Sequence, residues 1–151
     1  MSSNNTSKIN TGNFFEDFKL GQVIQHATPR TIGEGEVALY IALTGARQLV
    51  HSSDPLAQSL GYKSRPVDDL LAFHIAFGKT VPDISVNAVA NLGYADVRFI
   101  HPVYIGDTVR TSSTVIGLKQ NSNGKSGVVY VRSVATNQLH QPVISCSHLF
   151  S

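Results

Sequence analysis

His51 lies in a polar stretch that leads into an apolar helical pattern opened by two adjacent carboxylates, Asp68 and Asp69. An imidazole and a carboxyl group brought together in a cleft can move protons on and off a small molecule. Histidine titrates near neutral pH, and a carboxylate can orient it or share its proton. Arg47 and Gln48 precede His51 and can point into the same cleft. Carboxylates at a helix start also cap free N–H groups and offset the helix dipole. Asp68 therefore reads as an N-cap, and Asp69 and Asp54 read as first-turn charges, whatever else they do.

The remaining candidates point to little chemistry. His26, His101, His140 and His148 show no ligand-like spacing, so no metal site is expected. His74 falls inside the apolar helical pattern and reads as a buried histidine satisfied by a hydrogen bond. Cys146 is the only cysteine and sits in the alternating run Val143 to Phe150, as a quiet strand thiol. A single thiol forms no internal disulfide and suits a reducing cytoplasm. No nucleophile elbow, P-loop or dinucleotide fingerprint is present.

These side chains must be positioned by the elements around them. Residues 1–13 are polar and read as a disordered leader, neither a signal peptide nor a membrane span, and the folded part is expected over 14–151. Phe14, Phe15 and Phe18 form an anchor, followed by a first strand over Gln22 to Thr28. Glu34 to Leu43 is a helical pattern with Gly33 and Gly35 at its start and Gly45 as its stop. Ser53 can cap a short helix that Gly61 closes, with Pro55 early in it. Asp68 to Lys79 is apolar nearly all round, so it belongs in the middle of the fold.

From Val86 onward the period changes to two. Ala95, Val97 and Phe99 alternate with Tyr94, Asp96 and Arg98, and the last two can pair across the sheet or a dimer. Thr108 to Leu118, Gly127 to Thr136 and Val143 to Phe150 are three more strands. Asn123-Gly124 signals a tight hairpin whose two central residues both take positive φ. One antiparallel sheet wrapped around one long apolar helix buries that helix most simply. This is an α+β hotdog architecture.

The charge balance is 12 basic against 10 acidic residues, net +2, with no basic run, which excludes a nucleic-acid footprint. Only 15% of residues are charged. That is low for a small domain and predicts that another subunit covers part of the surface. Edge-to-edge pairing of hotdog sheets would also remove an exposed strand edge.

The segments Ala38 to Gly45, Leu49 to Gly61, Pro66 to Asp83, Asn87 to Thr108 and Val115 to Arg132 resemble the MaoC-like dehydratase family of hotdog proteins. Within it, the Val67-Asp68-Asp69-Leu70-Leu71 run is similar to the N-terminal half of the mesaconyl-CoA hydratase (β-methylmalyl-CoA dehydratase) subgroup. The family signature places an Asp after a Thr/Ser-Gly, then an Asn, then a His. Here Thr44-Gly45 is kept and His51 stands at the His position, but Ala46 replaces the Asp and Gln48 the Asn. The family's Val-His-Gly helix start, whose glycine amide points at a thioester oxygen, reads Asp68-Asp69-Leu70 here.

The resemblance implies reversible hydration of an enoyl-CoA, mesaconyl-CoA among the candidates, by a carbon–oxygen lyase that needs no cofactor beyond the coenzyme A of its substrate. His51 becomes the acid/base and Asp69 the replacement carboxylate. Gln48, Asp68 and the helix-start amides of Asp69 to Leu71, including Leu70, become substrate-binding. Lys63, Arg65 and Lys79 become candidates for the coenzyme A phosphates. A homodimer, or a hetero-oligomer with another hotdog subunit, is implied. Two alternatives share the fold: a non-catalytic hotdog that pairs with a catalytic one, as Ala46 would allow, and an acyl-CoA thioesterase.

Overall fold

A ten-residue helix, α4 (Asp69–Gly78), lies against a curved antiparallel sheet and supplies most of the core. In the computed structural model, residues 12–46 and 48–151 are described. Two short strands come first, β1 (Val23–Gln25) and β2 (Arg30–Thr31), followed by α1 (Glu34–Thr44), α2 (Leu49–Ser52) and α3 (Asp54–Ser59). After α4 come the single turn α5 (Val81–Ile84) and four longer strands: β3 (Asn91–Phe99), β4 (Thr108–Gln120), β5 (Gly127–Thr136) and β6 (Pro142–Phe150). The sheet order is β1-β4-β5-β6-β3, with β2 also pairing to β4. Strands β4 to β6 form a meander, whereas β3 sits at the edge beside β6, so the chain crosses the end of the sheet between β3 and β4.

Helix ends follow local chemistry. Gly33 precedes α1, and Glu36 reaches back to accept from its N–H at 2.5 Å. Gly45 stops α1 in the left-handed region at φ 67°, donating its N–H to Ile41. The Ser53 side chain caps α3 through the Leu56 N–H, with proline in the first turn. The expected short helix and its cap are therefore present.

Helix α4 buries Leu71, Ala72, Phe73, Ile75, Ala76 and Phe77. Phe73 and Phe77 stack at 4.3 Å, and Tyr94 of β3 meets both edge-on. Burying such a ring is worth about 2–3 kcal/mol. The helix is not enclosed all round, however. Leu70, His74 and Gly78, one turn apart, form an open stripe. His74 is exposed, contrary to the buried histidine expected: it lies on the one face of α4 that the sheet does not cover.

The inner sheet face is apolar at both ends and polar between. One cluster joins α4 to Val109, Ala135, Ile144 and Cys146. Another joins Phe18, Ile84, Val115, Val129, Val131 and Phe150. Phe18 is the buried part of the expected anchor, Phe15 packs against the second cluster, and Phe14 stays exposed. Cys146 is the quiet strand thiol expected, and burial pushes it up to about 11. Among the 1–13 leader residues, 1–11 lie outside the described residues, while the Asn13 side chain donates to the Asp83 carbonyl at 2.7 Å.

Two strand expectations change. Strict alternation along β3 breaks at a bulge between Ala95 and Arg98, where Asp96 takes φ 53°. Its carboxylate pairs with Arg98 on the same strand at 2.9 Å and with Arg132 of β5 at 3.4 Å. The β4–β5 loop closes through Asn121 N–H to Ser126 O, and only Gly124 takes positive φ, at 65°. A turn over residues 121–124 followed by a left-handed glycine replaces the two-residue turn expected, because the longer loop needs only one such residue.

Between the apolar clusters lies a buried polar string. His26 Nδ1 is 2.8 Å from Asp83 Oδ2, His26 Nε2 is 2.8 Å from Ser113 Oγ, and Ser113 Oγ is 2.6 Å from Ser133 Oγ. His148 lies nearby, 4% exposed, with no partner for Nδ1 among the described residues. Burial pushes His148 down to about 4, and the His26 charge adds to that. The unfolded chain therefore binds this proton more readily than the folded one. His148 costs nothing above its unfolded value near 6.5, and folded stability falls as pH drops from there toward 4. His148→Phe should flatten the fall in unfolding free energy between those values by up to roughly 3 kcal/mol in urea titrations at several pH values. An unchanged slope would place the pH dependence elsewhere.

Candidate active site

The start of α4 is where the predicted residues converge. Asp68 N-caps the helix, and its Oδ1 accepts from Leu70 N–H at 2.9 Å and Leu71 N–H at 3.3 Å. Those two amides, expected to face substrate, are therefore already engaged. The Leu71 side chain is buried in the core. The Asp69 N–H, at the first helical position, has no hydrogen-bond acceptor among the described residues. Tyr40 of α1 lies beside Asp68, and its phenol is raised by burial and by the Asp68 carboxylate.

His51 is not in a loop but in the one-turn helix α2, with Gln48 as the residue before its first turn. Its Nδ1 is 2.9 Å from the Pro66 carbonyl oxygen. A carbonyl only accepts, so Nδ1 carries the hydrogen, and in the neutral ring Nε2 is left as a base. Pro66 leads directly through Val67 into the cap of α4, and Val67 N–H donates to Val103 O at 2.8 Å. The backbone that orients the imidazole is thus the backbone that begins the helix.

His51, Asp69 and Gln48 line one cleft of about 370 Å³, together with Tyr62, Phe99 and His101. Partial desolvation raises the Asp69 carboxyl from its ordinary value, His51 pulls it back, and Asp68 pushes it up. An imidazole and a carboxyl group that share one cleft are the groups a proton transfer needs. Ala46, at the position of the family Asp, offers no carboxylate, and its N–H donates to Thr44 Oγ1 at 3.3 Å. Arg47 lies outside the described residues.

The other sequence candidates fall away from this cleft. Asp54 accepts from the Arg65 N–H at 2.8 Å and so pins the loop. The Arg65 guanidinium is engaged by Glu34. Lys63 sits over the Tyr104 ring at 4.1 Å. Lys79 is about 15 Å along α4 from Asp69. It lines a separate notch with Arg30 and His74, where burial and Arg30 lower its ammonium. None of the three cations expected to meet phosphates lines the His51 cleft. A larger cavity, about 420 Å³, lies toward the far end of α4 and is walled by Phe73, Phe77, Tyr94 and His148. Its wall mixes aromatic and aliphatic side chains with His74 and His148 and holds no carboxylate, whereas the smaller cleft brings histidine and carboxylate together. Among the described residues no group of histidines, cysteines and carboxylates can hold a metal ion.

Tyr62, Phe99 and His101 were not among the expected site residues. Phe99 and His101 are distant in sequence from His51, and the pairing of β3 with β6 places the end of β3 at the cleft. The Pro that follows His101 was a strand-end signal without a chemical one.

A model of the MaoC like domain matches residues 16–138. The chain belongs to the MaoC-like family. It is 63% identical over 139 residues to a β-methylmalyl-CoA dehydratase of Chloroflexus aurantiacus, covering 92% of this chain and 40% of that protein. It is 59% identical over 138 residues to a mesaconyl-CoA hydratase of Cereibacter sphaeroides, covering 91% and 40%. The crystal structure of a MaoC domain protein dehydratase from Chloroflexus aurantiacus superposes with a TM-score of 0.94 at 61% identity, over 96% of this chain and 41% of that one. A Mycobacterium tuberculosis protein described as a double hotdog fold superposes with a TM-score of 0.84 at 25% identity, over 92% and 43%. The hotdog fold expected from the sequence is therefore the fold, and the chain spans about two-fifths of the length of these curated relatives. No helix of the described residues is long and apolar enough to cross a membrane.

The capping role of Asp68 is directly measurable. Asp68→Ala should lower the unfolding free energy by about 1 kcal/mol, read as a shift in the urea midpoint at constant slope. Asp68→Asn, which keeps the acceptor oxygen, should retain most of it. Equal losses in both variants would show that charge, not the cap bond, matters.

Proposed function

We propose that this chain is one hotdog half of an acyl-CoA hydratase that adds or removes water across the double bond of an enoyl thioester of the mesaconyl or β-methylmalyl type. The observation that carries this reading is the pairing of His51, its Nε2 free, with Asp69, its carboxyl raised, at the start of α4. In the hydration direction His51 Nε2 takes a proton from water as the hydroxyl adds to the β-carbon. Asp69 gives its proton to the α-carbon. The Asp69 N–H receives the negative charge that gathers on the thioester oxygen. The proton on His51 returns to Asp69 through solvent, and dehydration runs the same steps backward.

Gln48 is proposed to hold the water or the carbonyl. Asp68 acts at one remove by fixing the helix start, and Leu70 and Leu71 contribute apolar wall rather than amides. No cofactor beyond the coenzyme A of the substrate enters these steps. The chain is proposed to work paired with a second hotdog, either a copy of itself or another subunit. Its span of two-fifths of the relatives supports this. So does the edge strand β3, whose Leu92, Val97 and Phe99 are exposed beside an open strand edge.

A second reading has its own observation. Ala46 leaves the family's acid position without a carboxylate, so this half can instead serve as the non-catalytic partner of another hotdog. Purified chain, alone and mixed with a MaoC-like partner that keeps the Asp, is assayed for hydration of mesaconyl-CoA and crotonyl-CoA. The expected result is hydration that His51→Gln and Asp69→Asn each reduce by about a hundredfold or more in kcat. Hydration in the mixture that neither substitution affects would assign the chemistry to the partner. Release of free thiol without hydration would identify a thioesterase.

A further inference from the structure

Two histidines in the cleft are mounted in the same way. His51 Nδ1 is 2.9 Å from the Pro66 carbonyl oxygen, and His101 Nδ1 is 2.7 Å from the Pro142 carbonyl oxygen. Each therefore carries its hydrogen on Nδ1 and directs its second nitrogen away from that anchor. The segment that bears His101 is also clamped to the start of β6, with Ile100 N–H to Val143 O at 2.8 Å and His101 N–H to the same oxygen at 3.4 Å. A surface histidine with no role has no need of three bonds that fix its backbone and its ring.

The two imidazoles stand in different electrostatic surroundings. His51 is coupled to Asp69, and Asp68 lies next to that carboxyl. This wall repels a further negative charge. His101 comes from the strand side, after β3, and shares its part of the cleft with Phe99, Ile100 and Pro102. Among the described residues that line the cleft, only His51 and His101 can carry a positive charge. With His51 engaged in proton transfer beside two carboxylates, His101 is the group left to receive an anion.

We infer that His101 is a binding residue for the free carboxylate of a dicarboxylic acyl thioester, and that it sets the preference of the cleft for such substrates over simple enoyl thioesters. The inference rests on the acyl-thioester reading above. The bound carboxylate accepts from His101 Nε2–H when the ring is protonated, while Nδ1–H keeps its bond to Pro142. His101 takes no part in the proton transfers assigned to His51 and Asp69. The thioester lies between the two walls, its oxygen at the α4 start and its free carboxylate at the β3 end.

His101→Asn tests this, because the asparagine amide can keep the bond to the Pro142 carbonyl while the second ring nitrogen is removed. Binding of mesaconyl-CoA and crotonyl-CoA is measured by calorimetry for the wild-type chain and the variant, with thermal melts to confirm that both are folded. The expected result is a rise of about tenfold or more in Kd for mesaconyl-CoA, with less than about a twofold change for crotonyl-CoA, as loss of one charge-assisted hydrogen bond dictates. Equal weakening for both thioesters, or no change for either, overturns the role of His101 and leaves the hydratase reading standing. A wild-type chain that binds neither thioester, alone or with its hotdog partner, overturns the reading and the inference together. A variant that no longer folds is replaced by His101→Ala, which removes both ring nitrogens, under the same criteria.

Discussion

The beginning of α4 is the constraint on which the rest depends. Within Pro66 to Asp69, the Pro66 carbonyl orients His51, Val67 N–H bonds to Val103, and the Asp68 carboxylate closes the helix. Each bond serves a different part of the fold: the short helices before α4, the crossing between β3 and β4, and the core helix itself. An N-terminal helix end left uncapped would expose four amides. Asp68 takes the Leu70 and Leu71 amides, and the Asp69 N–H has no acceptor among the described residues. The bonds that stabilise the helix thus also decide which of its first amides stay open.

The core behind this site is unusual in carrying a polar layer. Asp83, His26, Ser113 and Ser133 form a continuous string through the sheet between two apolar clusters. Asp83 only accepts, so His26 Nδ1 holds the hydrogen. While that ring is neutral, Ser113 must donate to Nε2 and accept from Ser133. Every proton in the string then has one position. Such a network fixes the register of β4 against β5 and of both against α5, where a purely apolar layer would tolerate sliding. His148 shares this layer with no partner for Nδ1 among the described residues, and its burial is the main reason it resists protonation.

The fold was readable from the sequence wherever one period ran long enough. The apolar run after Asp68 and the strands around Val129 and Ile144 needed no tertiary information. Among the elements of four residues or fewer, α2, α5 and β2 were missed or taken as loop, because so short a stretch carries no period, and β1 was expected but drawn too long. The Asp68 cap was readable because capping depends on residue type at one position. What that cap does to Leu70 and Leu71 was not, since it turns on which oxygen faces which amide. His101 was hidden for a different reason. Its value comes from lying beside His51 across the sheet edge, and the spacing between them encodes nothing. His74 failed in the opposite direction, because an apolar neighbourhood in sequence does not say which side of a helix the sheet covers.

The loss of a carboxylate at Ala46 and the presence of two at the start of α4 belong together physically. A carboxylate on the Thr44-Gly45 side would approach His51 from the end of α1, where Gly45 already turns the chain sharply. A carboxylate at Asp69 approaches it from a helix N-terminus instead, where the dipole favours the ionised form. That would leave Asp69 a poor acid if nothing opposed it. Desolvation and the neighbouring Asp68 oppose the pull of His51, and the carboxyl is raised overall. Asp68 therefore has two effects: it closes the helix, and it adds to the upward push on its neighbour's carboxyl. A site rebuilt around Asp69 needs the second carboxylate beside it, and the pair makes that wall unfit for any further anion.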